Sequence, residues 1–176
     1  MQTDSVDYDY TYQWLIGPIS ITGSPEQAMA KLQAQPTDWF PFPVGGCGAF
    51  SDGAVCTIHP GQQFFPLVDL PLIGGEGDVR VRTTSVSVQF TVLPDNYQTH
   101  YFDKPGSTIE FRLRQIDDSL VLMQIAHAET NGLVKPGFAT IGAHQTWQLQ
   151  AKLTARTLGV HPPACLVSMP LSCAGG

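Results

Sequence analysis

The side chains in this chain best suited to acid–base chemistry lie in two segments with strand-like alternation. His127 shares one face of the segment 119–129 with Met123 and Ile125, because alternate residues of a strand point the same way. If that face lines a cavity, the imidazole can act as an acid or a base near neutral pH. The other interpretation is a core histidine whose ring nitrogens are satisfied by hydrogen bonds.

Glu110 and Arg112 form a second candidate pair, in the segment 107–115, where they share a face with Arg114. A charged strand face usually meets solvent, which is the plainer interpretation. If it points into a cavity instead, Arg112 can hold a carboxylate or enolate through two hydrogen bonds. Glu110 could then act as a general acid, because burial raises the pKa of a carboxyl group. The candidate catalytic residues are therefore His127, Arg112 and Glu110.

Aromatic and apolar side chains supply the candidate ligand contacts. His100 and Tyr101 belong to a polar and aromatic cluster before Gly106, and ligand contacts often lie at such strand ends. The same stretch can equally be a plain turn. The predicted ligand-binding residues are His100, Tyr101, Met123, Ile125, Trp147 and Phe90.

The sequence carries no motif for a cofactor or a metal. None of the histidines has the H-x-H or H-x-x-x-H spacing that brings two ligands to one face. Neither a glycine-rich phosphate loop nor a G-x-S-x-G turn occurs. We therefore predict no cofactor and no metal.

Composition limits the partners. The chain has 176 residues, 43% hydrophobic and 14% charged, which suits one domain over 1–176 with an ordered core at about 8–160. A net charge of −6 argues against nucleic acid, whose phosphates require a basic face. Without a long apolar stretch or a signal-peptide pattern, we predict no membrane insertion and a cytoplasmic location. Self-association as a homodimer is left open.

The cysteines support no zinc site, because none forms a C-x-x-C pair. Cys47 and Cys56 flank a turn-like Ser-Asp-Gly at 51–53, where a hairpin would permit a disulfide. In a cytoplasmic protein we expect buried thiols instead. Bonding of Cys47–Cys56 and of Cys165–Cys173 stays open at this point.

Most of the elements that must position these residues are predicted strands. Alternating aromatic and polar residues predict a first strand from Tyr8 to Ile16, which 19–22 could continue past a bulge. A hairpin is predicted across 44–58, and further strands at 79–82, 85–93, 107–115 and 119–129. The last of these is apolar on both faces, so we expect it to be central and covered on each side.

Two longer segments are predicted to be helical. Ser24 is a suitable N-cap, Gln27 completes a capping box, and Pro36 ends the helix. At 136–158, good helix formers followed by Gly159 favour a helix. Strict alternation of apolar and polar residues over 144–158 favours a strand, and we prefer the helix.

This order of elements resembles the START/Bet v 1-like helix-grip superfamily, which includes polyketide cyclases. The capped stretch 24–32 and the following Asp-Trp-Phe-Pro at 38–41 resemble its first helix and the tryptophan-containing turn after it. Phe-Thr-Val-Leu-Pro at 90–94, His100 and the stretch 106–111 are similar to an uncharacterised bacterial branch. The resemblance covers most of 10–158.

The resemblance implies an α+β fold, in which a curved antiparallel β-sheet grips a long C-terminal helix around an interior cavity. If 144–158 were a strand, a calycin-like β-barrel would be the better description. The resemblance also implies that the cavity binds a hydrophobic or aromatic small molecule. The alternatives are a cofactor-independent cyclase or dehydratase acting on a polyketide-like substrate, and a non-catalytic interaction module.

Overall fold

A long strand and three short helical segments begin the fold. The computed structural model describes residues 6–58, 77–94, 105–130 and 136–161, with side chains at 9–58, 77–94, 105–129 and 146–161. The first elements are strand β1 (Val6–Pro18) and helices α1 (Ile19–Thr22), α2 (Pro25–Ala34) and α3 (Pro36–Trp39).

Six further strands and a long helix complete the described architecture. They are β2 (Val44–Gly45), β3 (Val55–Ile58), β4 (Gly77–Thr83), β5 (Ser87–Val92), β6 (Thr108–Ile116), β7 (Ser119–Thr130) and α4 (Pro136–Thr157). Neighbouring strands pair antiparallel in the order β1-β7-β6-β5-β4-β3-β2. The sheet is open, not closed into a barrel, so the α+β prediction is confirmed and the calycin-like alternative is wrong.

Helix α2 begins as its sequence predicts. The Ser24 hydroxyl accepts a hydrogen bond from the Gln27 backbone N–H at 3.2 Å. The Ser24 backbone N–H in turn donates to Gln27 Oε1 at 3.0 Å, which completes the capping box. The helix ends at Ala34, before Pro36, and buries Met29 and Leu32 in the core.

The predicted continuation of the first strand through 19–22 is wrong, because those residues form the single helical turn α1. A bulge lies between Leu15 and Gly17, and Pro18 is the last paired residue of β1. Proline has no backbone N–H with which to extend a β-ladder. The chain therefore turns away from the sheet at this point.

Residues 136–157 form helix α4, so the helical interpretation of the end of the chain is confirmed. The apolar–polar alternation was misleading. The buried side chains Trp147, Ala151 and Ala155 recur every four residues, as a helix requires, whereas Leu149 is 43% exposed. Gly159 ends the helix with a φ of 84°, a conformation that glycine adopts without a steric penalty.

The core lies between the inner face of the sheet and the helices. Its centre is an aromatic cluster in which each ring lies within 6.0 Å of at least one other, mostly edge to face: Trp39, Phe40, Phe50, Phe90 and Phe111. The Trp39 indole N–H donates to the Leu32 backbone oxygen at 2.7 Å. No helix among the described parts is long and apolar enough to cross a membrane.

Cys47 and Cys56 are joined by a disulfide across the β2–β3 hairpin. The hairpin prediction is therefore confirmed, and the expectation of free thiols at these two positions is wrong. Cys56 is completely buried, so the sulfur bridge ties the edge of the sheet to the core. Cys165 and Cys173 lie outside the described residues.

Candidate functional site

Strand β7 determines which predicted site residues face the interior. On its inner face Leu120, Leu122 and Gln124 are completely buried. On the opposite face Met123 and Ile125 are only half-buried and His127 is exposed. The prediction that the face of His127 lines the cavity is wrong. Because both faces of this strand are largely apolar, alternation alone could not identify the inner one.

His127 lies on the outer surface of the sheet, where its side chain is 66% exposed. Its Nδ1 is 3.1 Å from Oδ1 of Asp9, on the neighbouring strand β1, and the Asp9 side chain is 69% exposed. Exposed pairs of this kind contribute little to stability. Both interpretations of its position are wrong, because His127 neither lines a cavity nor lies buried in the core. A catalytic role for His127 stays a prediction.

Glu110 and Arg112 also lie on the outer face, where the plainer interpretation placed them. Arg112 donates two hydrogen bonds to the Glu110 carboxylate, Nε to Oε1 and Nη2 to Oε2, each at 3.0 Å. The Arg112 side chain is 47% exposed. The Glu110 side chain is only 17% exposed, but it is covered on the outer face of the sheet and not in the interior. The proposed catalytic roles of the pair therefore gain no support from its position.

Of the predicted ligand contacts, Phe90 and Trp147 face the interior. Phe90 belongs to the aromatic cluster, and the Trp147 ring lies 5.4 Å from that of Phe111. Met123 and Ile125 are on the outer face, so their expected contact with an interior ligand is wrong. His100 and Tyr101 lie outside the described residues.

A chain of hydrogen bonds that the sequence reasoning missed crosses the interior. The Trp14 indole N–H donates to Oε1 of Gln124 at 2.6 Å. Gln124 Nε2 donates to the Trp147 backbone oxygen at 3.0 Å and to Oε1 of Gln150. The sequence feature that could have indicated it is the glutamine within the apolar run Leu-Val-Leu-Met-Gln-Ile-Ala, since a buried amide needs hydrogen-bond partners.

Next to this series of hydrogen bonds, two buried polar atoms of α4 have no hydrogen-bond partner. They are Nε2 of Gln150 and Oγ1 of Thr154, both on completely buried side chains of α4. Positions four residues apart lie one above the other on the same helix face. Buried groups without partners are uncommon and call for an explanation.

The inner face changes character toward the C-terminal end of β7. Gln124 is followed there by the small side chains Ala126 and Ala128, both buried. Tyr10 and Tyr12, opposite Ala126 and Gln124 on β1, are only half-buried, with ring centroids 5.1 Å apart. Burial raises the pKa of the Tyr12 hydroxyl above its ordinary value, which is itself well above neutral pH.

A hydrogen bond joins this region to the helix, because the Trp147 indole N–H donates to the Tyr10 hydroxyl at 2.6 Å. None of the buried side chains among the described residues carries a charge. The described interior is thus apolar and aromatic, with amide and hydroxyl groups at a few positions. Such a lining is typical of sites for small organic molecules.

Two surface depressions are lined by described residues. One, of about 370 Å³, lies beside the β4–β5 turn; the other, of about 200 Å³, lies on the outer side of the β6–β7 hairpin. Both are open to solvent, and neither touches any of the predicted site residues. They are separate from the interior region around Tyr10 and Trp147.

No protein-family model matches this chain, and no curated protein matches it. Among solved structures, protein XoxI from Bacillus cereus is 12% identical with a TM-score of 0.53, over 87% of this chain and 95% of that one. Major latex-like protein 151 from Panax ginseng is 10% identical with a TM-score of 0.52, over 90% and 99%. A protein from Chromobacterium violaceum is 12% identical with a TM-score of 0.51, over 88% and 99%.

At these identities the likeness concerns the fold alone. The antiparallel sheet and the C-terminal helix match the Bet v 1-like neighbours, so the resemblance to the START/Bet v 1 helix-grip fold is confirmed. Proteins that share a fold differ in function, so a function has to be argued from the site itself.

Proposed function

We propose that this protein binds a hydrophobic or aromatic small molecule between the inner face of the sheet and α4. The observation that carries the proposal is the decrease in side-chain size along the inner face of β7, from Leu122 and Gln124 to Ala126 and Ala128. Tyr10 of β1 pairs with Ala126 across the sheet, and its hydroxyl accepts a hydrogen bond from Trp147 of α4. Because protein interiors are close-packed, the space beside such small side chains has to be occupied by neighbouring residues or by a ligand, and we propose the ligand.

The aromatic groups around this volume suit a flat apolar ligand. Tyr10, Tyr12 and Trp147 offer broad ring faces with a polar group at the edge, and such rings favour stacked or edge-to-face contacts. Because the described interior holds no charged side chain, a neutral molecule would enter at a lower desolvation cost than an ion.

The chemical groups on the described buried side chains favour a binding function over an enzymatic one. Among the described residues, the hydroxyls of Tyr10 and Tyr12 are the titratable groups nearest this place for a cyclase or dehydratase. The described buried side chains include no carboxylate and no imidazole, which are the usual groups for that task. Catalysis by shape and desolvation alone stays a second candidate.

The substitution Ala126→Leu tests the proposal, because it fills the supposed volume. If the volume is available, the variant folds with near-normal stability and no longer binds a neutral, apolar fluorescent probe such as N-phenyl-1-naphthylamine. Its matched control is Ala30→Leu, at an exposed position of α2, which should leave binding unchanged. Binding is measured by probe fluorescence and stability by urea unfolding.

The result that contradicts the proposal is equally distinct. In a fully packed interior the extra methyl groups of Ala126→Leu would cost about 1–3 kcal/mol of unfolding free energy through overpacking. A destabilised variant, together with a wild type that does not bind the probe, would indicate an interaction module whose interior is filled by its own aromatic side chains.

A further inference from the structure

We infer that Gln150 and Thr154 form a hydrogen-bonding site for a neutral carbonyl oxygen of the bound molecule. The inference rests on the proposed function, and it assigns a chemical group to the ligand and specificity-determining roles to two residues of α4. Both side chains are completely buried, and each holds one polar atom without a partner.

The direction of the hydrogen-bond chain determines what Gln150 offers. An indole nitrogen can only donate, so the atom of Gln124 that faces Trp14 must be its oxygen. The Gln124 amide nitrogen then donates one hydrogen bond to the Trp147 backbone oxygen and one to Oε1 of Gln150. The amide nitrogen of Gln150 is therefore turned away from Gln124, with its N–H groups unused. Trp14 and Gln124 act as positioning residues for this donor.

Thr154 presents a second donor on the same face of the helix. A helical threonine often bonds its hydroxyl to the backbone oxygen four residues earlier. Thr157 does so, with its hydroxyl 2.8 Å from the Leu153 oxygen, whereas the Thr154 hydroxyl has no partner. A carbonyl oxygen has two lone pairs, so one such atom can accept from both Gln150 and Thr154.

The surroundings select a neutral acceptor. With no charged side chain among the described buried residues, a carboxylate would be buried without a counter-charge. A ketone or a similar carbonyl avoids that penalty. Because both polar atoms are enclosed in the unliganded protein, the ligand must displace a neighbouring group to reach them. The free protein therefore bears the cost of two unsatisfied groups, which binding relieves.

This cost leads to an unusual expectation for Thr154→Val, a nearly isosteric change that replaces the hydroxyl with a methyl group. The unliganded variant should be more stable than the wild type, with a melting temperature higher by about 2–8 °C, because a buried unsatisfied group is lost. Its affinity for a ketone should nevertheless fall. A merely structural hydroxyl would give a lower melting temperature instead.

The test uses two probes of matched shape, 2-acetylnaphthalene and 2-isopropenylnaphthalene, which differ by the exchange of a carbonyl oxygen for a methylene group. The wild type should bind the ketone about tenfold more tightly than the alkene, as expected for hydrogen bonds formed in a buried site. Thr154→Val and Gln150→Met should each reduce that preference severalfold. Thr157→Val, whose lost hydroxyl already has a partner, should preserve it.

The outcomes separate the inference from the proposed function. Equal binding of both probes by the wild type would overturn the carbonyl site while leaving apolar binding intact. Binding of neither probe would remove the proposed function and the inference with it. A lowered melting temperature of Thr154→Val with an unchanged ketone preference would show that the hydroxyl is structural. Should Thr154→Val not fold, the ketone preference of Gln150→Met decides.

Discussion

Replacement of Gln124 by leucine tests the interior hydrogen-bond chain most severely. Leucine has a similar size but cannot hydrogen-bond, so Gln124→Leu removes the hydrogen bonds that Gln124 makes to the Trp14 indole N–H and to Oε1 of Gln150, besides the one to the Trp147 backbone oxygen. Both groups lie in completely buried side chains, out of reach of water. The variant should therefore fold to the same structure with a lower unfolding free energy.

The magnitude follows from the hydrogen bonds that the Trp14 and Gln150 side chains lose. Each buried polar group without a partner costs about 1–3 kcal/mol, which gives about 2–6 kcal/mol for two. Burial of the more apolar leucine side chain offsets about 1–2 kcal/mol of this. The midpoints of these two ranges give a net loss of about 2.5 kcal/mol. That is a large part of the total stability of about 5–15 kcal/mol that is usual for a domain.

The assay is urea unfolding followed by tryptophan fluorescence and circular dichroism, since both signals should move together. The matched control is Gln13→Leu on the outer face of β1, directly opposite Met123, where the change should stay within about 0.5 kcal/mol. If Gln124→Leu were as stable as this control, the hydrogen-bond chain would have no energetic role, and the directional argument built on it would fail.

Two further predictions concern the edge of the sheet and the end of α4. Reduction of the Cys47–Cys56 disulfide, whose cysteines are separated by 9 in the sequence, should cost about 2–3 kcal/mol of unfolding free energy. The double variant Cys47→Ala/Cys56→Ala should be insensitive to reductant, and an equal response of both proteins would contradict the prediction. Gly17→Ala should destabilise by about 1–3 kcal/mol, because its Cβ would lie 2.7 Å from Cγ2 of Val160. Val160→Ala should relieve most of that loss in a double-mutant cycle, and simple additivity would refute the contact.

Local chemistry could be predicted from the sequence where it acts within a few residues. The capping box at Ser24 and the helix end at Gly159 each depend on neighbours close in the chain. The strand continuation predicted at 19–22 is wrong for an equally local reason, because Pro18 has no backbone N–H with which to extend a β-ladder.

Features that depend on distant parts of the chain could not be predicted in this way. The sequence alone could not show which face of β7 points into the core, because each face carries one polar residue among apolar ones, Gln124 on one and His127 on the other. Gln124 lies on the inner face because it hydrogen-bonds to α4, and α4 is distant in the sequence. Its partners Trp14 and Gln150 lie far away in the sequence. The bonding of Cys56 likewise depended on hairpin geometry that spacing merely permitted. The predicted cytoplasmic location stays a prediction. The Cys47–Cys56 disulfide argues against it, because disulfides usually persist in oxidising compartments.

The central claim is that one apolar molecule binds inside the protein, beside Ala126. Native mass spectrometry after incubation with 2-acetylnaphthalene tests it most directly, on the wild type and on Ala126→Leu side by side. We expect a one-to-one complex with the wild type and bare protein with Ala126→Leu. Bare protein in both samples, or the same complex in both, would contradict the claim.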